Sequence, residues 1–274
     1  MELIQSLKDI QKLEIDMLQE IDIFCRENSL IYYLAGGTLL GAVRHKGMIP
    51  WDNDIDISMP RKDYKIFLKT WNSKCRKNYY KTRVFGENNY YIPFAKIEDK
   101  RTLLKQNNSS DAAKIGVFID IFPIDAYGED LEVGKKVLST IENTCGRITR
   151  SGAAFENKSI KENMKQLFWK IYYNVVGQEK AYNLAQQPLK NFDWDSSKYI
   201  ASTFGLRREK ELIEKKYFET TIELEFEGRQ YLAPIGFDAY LKKMYGDYMK
   251  LPPEEKRVTP HEFDTYWLGE GDKK

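Results

Sequence analysis

Two carboxylates in the sequence DIDISM, Asp54 and Asp56, are spaced so that they could share a divalent metal ion. The alternation of polar and apolar residues predicts a strand over 54–59, and side chains two positions apart on a strand point to the same face. Such a pair suits Mg²⁺, which prefers oxygen ligands and neutralises phosphate charge during phosphoryl transfer. Ordinary exposed strand ends also carry this pattern, so neighbouring residues must decide between the two interpretations.

Two glycines provide the first such neighbour. Gly36 and Gly37 precede a predicted helix from Thr38 to His45. Unpaired N–H groups and the helix dipole favour a phosphate at such a position, and the Thr38 hydroxyl could donate a further hydrogen bond. The alternative is a tight turn without a ligand.

A third carboxylate, Asp120, lies in the apolar sequence VFIDIF, which is typical of a strand buried on both faces. A buried carboxylate needs a cation or strong hydrogen-bond donors. A structural salt bridge is one answer. The suspected metal pair favours a metal-binding or catalytic role instead.

Basic residues near these elements are weaker candidates. Arg44 and Lys46 end the predicted helix, where solvated cations and phosphate contacts are about equally common. Lys96, on the predicted strand YIPFAKIE, is a better candidate for a diphosphate contact. Pairing with Glu98 or Asp99 would also explain it.

The elements that must position these residues predict a mixed α/β fold. We expect a catalytic core over 1–126, a helical module over 127–195 and a C-terminal β/α segment over 196–274. A hairpin is predicted around Glu227 and Gly228. The other predicted elements are a helix over 3–27, a strand over 31–35, a helix over 60–71, strands in YYKTRVF, YIPFAKIE and VFIDIF, two or three helices over 130–190 broken near 146–152 and at Gly177, a helix over 236–249 and a polar tail.

Composition excludes several classes of protein. The 274 residues carry 43 Lys and Arg against 41 Asp and Glu, a net charge of +2, which argues against a nucleic-acid partner. Three cysteines without CxxC spacing and two histidines argue against a disulfide scaffold and a Cys/His zinc site. No apolar run predicts a membrane span and no secretory signal is visible, so we expect a cytoplasmic protein.

Longer motifs resemble the LicD family of the nucleotidyltransferase superfamily, which is distantly related to the fukutin group. They are GTLLGAVRHKGMIPWDNDIDISM, RKDY, FIDIFPID and YGDYMKLPP, and together they span nearly the whole chain. The resemblance implies a nucleotidyltransferase-like mixed sheet. Asn53 stands where the WDDDID form of the motif has Asp. Because Asn53 has the opposite strand parity to Asp54 and Asp56, we expect the metal pair to be retained.

The resemblance also implies an activity. It is the Mg²⁺-dependent transfer of phosphocholine from CDP-choline to a sugar hydroxyl of a lipid-linked glycan precursor, of the teichoic acid or lipopolysaccharide type, with release of CMP. One or two metal ions are implied, with Mn²⁺ as a substitute. The implied ligands are Asp54, Asp56 and Asp120, with Gly36, Gly37 and Thr38 at the diphosphate, and Asp120 as general base or second-metal ligand on the acceptor side.

A choline substrate would need aromatic contacts, because a quaternary ammonium cannot donate N–H hydrogen bonds and is recognised by ring faces. Trp51, Tyr91 and Phe94 are the candidates, since they lie beside the acidic strand or on the strand of Lys96. Packing in the hydrophobic core is the more common use of such residues.

The region 146–173 has the strongest local excess of basic residues. Within it, apolar residues from Ile160 to Val175 follow one helical stripe, with Trp169 beside it. The favoured interpretation is a helix that packs this stripe on the catalytic core. The alternative is contact with an anionic membrane, at the inner face of the plasma membrane, because the resemblance implies a lipid-linked acceptor.

Other activities remain open for the same residues. The same metal site would serve transfer of phosphoethanolamine, glycerol phosphate, ribitol phosphate or a nucleotidyl group. A nucleotidyltransferase acting on nucleic acid is disfavoured by the near-neutral charge, and an inactive scaffold is disfavoured by the intact set of Asp54, Asp56 and Asp120.

Overall fold

The computed structural model describes residues 1–105, 115–152, 159–205, 207–259 and 264–269. Within these residues the helices are α1 (Leu7–Glu27), α2 (Gly36–His45), α3 (Arg61–Lys74), α4 (Leu131–Gly152), α5 (Ile160–Val176), α6 (Gln178–Ala185) and α7 (Phe237–Tyr245). The strands are β1 (Glu2–Ile4), β2 (Tyr33–Leu34), β3 (Ile55–Pro60), β4 (Tyr80–Arg83), β5 (Ala95–Asp99), β6 (Thr102–Lys105), β7 (Phe118–Ala126), β8 (Tyr199–Ser202), β9 (Ile213–Glu214), β10 (Thr221–Phe226), β11 (Arg229–Pro234) and β12 (Asp264–Trp267). The predicted mixed α/β fold is confirmed.

A central mixed sheet positions the predicted carboxylates. Its strands run in the order β2-β3-β7-β5-β4, and β8 adds to β7 with β9 beyond it. Strands β3 and β7 are parallel, which places Asp56 beside Asp120. Strands β7 and β5 are antiparallel, which places Asp120 beside Lys96. The register therefore brings two acids and one base into a single row across three strands.

Helices α1 and α3 contribute to the hydrophobic core of this sheet. Leu18 and Ile21 of α1 are fully buried, as are Phe67 and Trp71 of α3. Helix α1 begins at Leu7 because the Ser6 side chain caps it by accepting a hydrogen bond from the Asp9 N–H at 3.1 Å. The predicted start at residue 3 was wrong, since residues 2–4 form β1.

The predicted hairpin is confirmed, and it supports the end of α2. Glu227 and Gly228 both have positive φ, 50° and 73°, as a tight two-residue turn requires. The Glu227 N–H donates to the Lys46 carbonyl at 2.9 Å, and the Glu227 carboxylate accepts from the Met48 N–H at 2.9 Å. The hairpin tip thereby fixes the loop that leads from α2 towards β3.

The C-terminal segment differs from the predicted polar tail. Strand β12 lies in the middle of a three-stranded sheet, between β1 and β6. Its four residues are too few to show a reliable strand period. They pair with β1 and β6, which lie far away along the chain. Strand β6 was missed for the same reason.

The helical module contains α4, α5 and α6, in agreement with the predicted helices. The predicted break at 146–152 is confirmed only at its far end, because α4 continues through Gly146, with Cys145 and Ile148 buried along it, and ends at Gly152. Packing of that face offsets the cost of about 1 kcal/mol for Gly146 within a helix. The predicted break at Gly177 is confirmed, with φ at 86°.

The favoured interpretation of α5 was wrong. Trp169, Tyr173 and Val176 face α4 and α6 in a cluster with Ile148 and Ala181. The apolar stripe on the other side of the helix is exposed to solvent. Its described members are Met164, Leu167, Phe168, Ile171, Tyr172 and Val175.

None of the helices among the described residues is both long and apolar enough to cross a membrane. The division into 1–126, 127–195 and 196–274 stays a prediction.

Candidate active site

A cleft of about 420 Å³ opens where the start of α2 meets the start of β3. Gly36, Gly37, Asp54 and Asp56 line it. The segment after β8 and one face of α7 form its other walls, which places residues from three distant parts of the chain around one space.

The predicted carboxylate pair lies in this cleft. Asp54 immediately precedes β3 and is half-buried, whereas Asp56 lies on β3 and is only 8% exposed. Burial raises the pKa of Asp56 well above its usual range, and the negative charges of Asp54 and Asp120 add to the effect, while Lys96 opposes it. Bringing these carboxylates together therefore has an electrostatic cost that a bound cation would offset.

The two glycines allow the start of α2 to approach the carboxylates closely. Gly36 has a φ of +50°, and a Cβ atom there would lie 2.8 Å from Asp56 Oδ2. A Cβ atom on Gly37 would lie 2.8 Å from Asp52 Oδ2. Ala35 at the N-cap supplies no side-chain hydrogen bond to the helix. The positive end of α2 therefore faces the acidic cleft, and the predicted diphosphate contact stays a prediction.

Thr38 contacts the backbone of Asp56. Its hydroxyl oxygen accepts a hydrogen bond from the Asp56 N–H at 2.8 Å, and the residue is 4% exposed. Thr38 is absent from the residues that line the cleft. The structure thus gives Thr38 a positioning role for Asp56, and its predicted contact with the diphosphate stays a prediction.

Asp120 and Lys96 form a buried ion pair across β7 and β5. The Lys96 ammonium also lies 3.3 Å from the centre of the Phe118 ring and 5.4 Å from that of Phe94. The salt bridge that was the alternative interpretation of Asp120 is present, and neither Asp120 nor Lys96 is among the residues that line the cleft. Glu98 is bound instead by Arg83, at 3.1 Å.

The carboxylates near the cleft have the negative charge and the oxygen atoms that suit a divalent cation. Besides the three predicted carboxylates, Glu14 of α1 is 3% exposed, and its Oε2 atom has no hydrogen-bond partner among the described residues. Burial raises the pKa of Glu14 well above its usual range, and the charges of Asp54, Asp52, Asp120 and Asp56 add to this. In the described part of the chain, however, no three His, Cys, Asp or Glu side chains converge closely enough to hold a metal as they stand.

Comparison with known proteins decides the family. A family model described as LicD/FKTN/FKRP, nucleotidyltransferase domain, matches residues 29–144. The chain is also 32% identical, over 272 residues, to the Lipopolysaccharide cholinephosphotransferase LicD of Haemophilus influenzae, an alignment covering 96% of this chain and 98% of the relative. The chain belongs to the LicD family.

The family assignment confirms the predicted enzyme class, a phosphotransferase. A shorter match is 51% identical over 37 residues, 14% of each chain, to an uncharacterized protein of Rickettsia prowazekii. The family model covers α2, β3, β5 and β7, so all three predicted carboxylates of this LicD family member fall inside it.

The predicted aromatic contacts do not meet at the carboxylates. Trp51 lies edge-on to His45, with 6.1 Å between ring centres, and Tyr91 contacts Phe85 near α4. Phe94 lies beside the Lys96 ammonium. None of the three predicted rings lines the cleft. Tyr91 and Phe94 lie in the segment before β5, where both contact α4. The aromatic residues that do line it are Phe122, Tyr240 and Tyr245.

The predicted basic contacts from the end of α2 also lie outside the cleft lining. Arg44 donates to the Tyr248 carbonyl at 2.9 Å, and burial lowers its pKa. Lys46 is exposed and ends α2 in a left-handed conformation. Both residues lie one helix length from Gly36, which explains the separation.

Other residues of the cleft went unnoticed in the sequence. Asp52 is two residues before the recognised pair, and its proximity to Gly37 gives it a place in the same acidic group. Arg207 and Glu211 reach the cleft because β8 pairs with β7. Nothing in the local sequence distinguishes them from surface charges. Glu14 was visible only as an acid among the apolar positions of α1.

A larger cavity, of about 630 Å³, lies between α4 and α5. Arg147, Arg150, Lys165 and Trp169 are among its lining residues, and it contains none of the predicted catalytic residues. Size alone therefore does not favour this cavity, whereas the convergence of carboxylates with a helix N-terminus makes the smaller cleft the candidate active site.

Proposed function

We propose that this protein transfers phosphocholine from CDP-choline to a sugar hydroxyl of a lipid-linked cell-surface glycan precursor, of the lipopolysaccharide or teichoic acid type, and releases CMP in the cytoplasm. The observation that supports it is a carboxylate pair facing a helix N-terminus in one cleft, in a chain similar end to end to a relative named as a lipopolysaccharide cholinephosphotransferase.

Asp54 and Asp56 are the proposed ligands of Mg²⁺, or of Mn²⁺ in its place. Bound metal would supply positive charge to the diphosphate as charge develops on the transferred and leaving oxygens. Asp56 is held for this role by Thr38 and by the close approach of Gly36. Asp120 is paired with Lys96, so we assign the first metal to the other two carboxylates.

The diphosphate is proposed to lie between the start of α2 and Arg207. Backbone N–H groups at Gly36 and Gly37 stand at the positive end of the helix dipole. Arg207 lines the opposite side of the cleft, with its guanidinium carbon 4.7 Å from the centre of the Tyr245 ring. A guanidinium held in this way matches phosphate oxygens without a large loss of side-chain entropy.

The reaction forms one bond and breaks one. The acceptor hydroxyl oxygen attacks the phosphorus that carries choline, and the bond from this phosphorus to the bridging oxygen of the diphosphate breaks. CMP leaves with the bridging oxygen. We assign the hydroxyl proton to the Asp120 carboxylate, which Lys96 keeps oriented from the neighbouring strand.

The trimethylammonium group is proposed to contact Phe122 and Tyr245 in place of the rings first predicted. Each ring face contributes about 0.5–2 kcal/mol to such a cation. Loss of choline preference over ethanolamine in Phe122→Ala or Tyr245→Ala would identify the ring that is used.

A donor screen tests the function. Purified protein with Mg²⁺ and a glycan acceptor is given CDP-choline, CDP-ethanolamine, CDP-glycerol or CDP-ribitol, and CMP is quantified. CMP release with CDP-choline and phosphocholine on the glycan are expected. Release of free phosphocholine with CMP attached to the acceptor would instead show nucleotidyl transfer. Preference for another donor would reassign the transferred group.

A further inference from the structure

Helix α5 has more apolar surface than its packing uses. Its inward face is formed by Trp169, Tyr173 and Val176. On its outward face, six large apolar side chains are between 46% and 83% exposed, and they recur at spacings of three and four residues, so they form one continuous stripe. We call this set the α5 stripe: Met164, Leu167, Phe168, Ile171, Tyr172 and Val175.

Such a stripe differs from the single exposed apolar residues found on every protein. Contiguous apolar surface on a soluble domain marks a site of interaction. The helix is also well formed, because Ser159 and Glu162 make a capping box at its N-terminus. Its 17 residues present the stripe along a rod of about 25 Å.

The charges near the α5 stripe favour an anionic partner. Lys161 and Lys165 of α5 are exposed, and Lys161 precedes Met164 by three residues, on the same side of the helix. Arg150 and Lys180 at the adjoining ends of α4 and α6 are exposed as well. The exposed acids of α5 and α6 are Glu162 and Glu179. Basic Lys158 lies outside the described residues.

The same charges argue against a second copy of this chain as the partner. A two-fold interface with the two helices parallel would bring the α5 stripe of one copy against that of the other, with Lys161 and Lys165 of each copy close to their equivalents. Like charges in that arrangement oppose association. A surface of anionic phospholipids combines an apolar layer for the stripe with negative headgroups for the lysines.

We propose that α5 docks this protein on an anionic phospholipid membrane. The helix lies along the surface, with the α5 stripe at the boundary between headgroups and acyl chains, and with Lys161 and Lys165 among the phosphates. Docking requires neither the metal nor the choline donor, so it holds or fails independently of the proposed reaction.

The test is sedimentation of the full chain with vesicles at low and high salt. Vesicles of phosphatidylcholine alone are compared with vesicles that also contain phosphatidylglycerol. Binding to the anionic vesicles is expected, and it weakens as salt rises. Lys161→Glu with Lys165→Glu should weaken binding roughly 30-fold or more, since each basic residue near such a surface contributes about 1 kcal/mol.

Matched variants separate this surface from general charge and hydrophobicity. Lys65→Glu with Lys69→Glu makes the same charge change at the same spacing on α3, where both lysines are exposed, and it should leave binding within about twofold of wild type by the same reasoning. Phe168→Ser with Ile171→Ser should abolish binding. The pair Met249→Ser with Leu251→Ser, exposed elsewhere, should leave it unchanged.

Several outcomes would overturn the proposal. They are no binding to anionic vesicles at low salt, equal binding to neutral vesicles, and equal losses in the α3 and α5 variants. A mass that doubles with concentration, and returns to that of one chain in Phe168→Ser with Ile171→Ser, would assign the α5 stripe to a second copy. Thermal melts of every variant exclude misfolding as the cause.

Discussion

Asp54 and Asp56 carry the most specific chemical prediction. Asp54→Asn or Asp56→Asn removes one negative charge from the cleft and keeps the shape of the side chain. We expect kcat/KM to fall at least about 100-fold, because the cation that neutralises the phosphate charge would lose one of its proposed carboxylate ligands. Thermal stability should stay or rise, since each change reduces the repulsion between neighbouring carboxylates.

Turnover is measured together with the increase in Tm that Mg²⁺ produces. This increase should be smaller in both variants than in the wild type. Asp195→Asn, at an exposed position after α6, is the control and should behave as wild type. Wild-type turnover in either cleft variant would remove the pair from the proposed metal site.

Gly36 provides a test of the close approach between α2 and the carboxylates. Gly36→Ala places a methyl group where Asp56 Oδ2 would lie only 2.8 Å away, at a φ of +50°. Gly228 has a φ of +73° but open space around it, so Gly228→Ala adds a similar backbone cost without a contact. Both variants should lose roughly 1–2 kcal/mol in the free energy of unfolding.

Only Gly36→Ala should lose turnover, because only there does the added atom displace a proposed metal ligand. Activity at matched folded fractions, from urea titrations, makes the comparison. Equal activity in the two variants would show that the glycine serves the turn alone.

The sequence alone identified the residues that belong to a short local motif. Asp54, Asp56 and the glycines share one short stretch, and strand periodicity with helix-start chemistry is local. Lys96 and Asp120 were both suspected, yet their pairing depends on the register of β5 against β7. Arg207 reaches the cleft, and Glu14 comes near its carboxylates, only after distant elements meet, which no local pattern reports.

The cross-strand pair of Lys96 and Asp120 yields a prediction about two elements together. Lys96→Met leaves the Asp120 carboxylate without this cation between β5 and β7. The free energy of unfolding should fall by about 3–5 kcal/mol, as in other buried pairs that lose one member. Lys96→Met combined with Asp120→Asn should recover part of this loss.

A double-mutant cycle from urea denaturation measures the coupling. Independent losses that simply add would show that the pair contributes nothing specific to the contact between the strands. Asp120→Asn alone should lower kcat while leaving the affinity for CDP-choline close to wild type, if the carboxylate serves the acceptor.

At the scale of elements, the strands and helices with strong periodicity were predicted, as were the short strands β2 and β4, whereas β1, β6 and β12 were not. Strands β3 and β7 carry buried Ile side chains at alternate positions, whereas β12 has four residues and depends on pairing with both β1 and β6. Helix α5 shows a different limit. Its periodicity correctly indicated a helix with an apolar stripe, but a pattern cannot tell which of two apolar faces packs inwards.

The cleft forms only when the whole molecule is folded, because its walls come from separate parts of the chain: 35–58, 122, 202–211 and 240–245. Glu211 joins them from the segment after β8, and it is 5% exposed. The Arg207 N–H donates to its Oε1 atom and the Tyr240 hydroxyl to its Oε2 atom, both at 3.3 Å. Burial nevertheless dominates, and it raises the pKa of Glu211 from an ordinary value of 4.5 to about 7.

This raised pKa predicts how global stability responds to pH. Between 4.5 and 7 the folded protein holds a proton on Glu211 that the unfolded chain has released, so the free energy of unfolding falls as pH rises through this window. The whole loss is about 3 kcal/mol. Glu211→Gln stays neutral at every pH and keeps an oxygen acceptor, so this part of the pH dependence should vanish.

Urea denaturation at several pH values measures the effect as the difference between wild type and Glu211→Gln. The difference is needed because burial also raises the pKa of Glu142 to about 7, and both groups titrate in the same window. Glu142→Gln should remove its own share and leave the share of Glu211 in place. If Glu211→Gln follows the wild-type curve in parallel from pH 4.5 to 7, Glu211 is ionised in the folded protein and the cleft is more polar than its burial indicates.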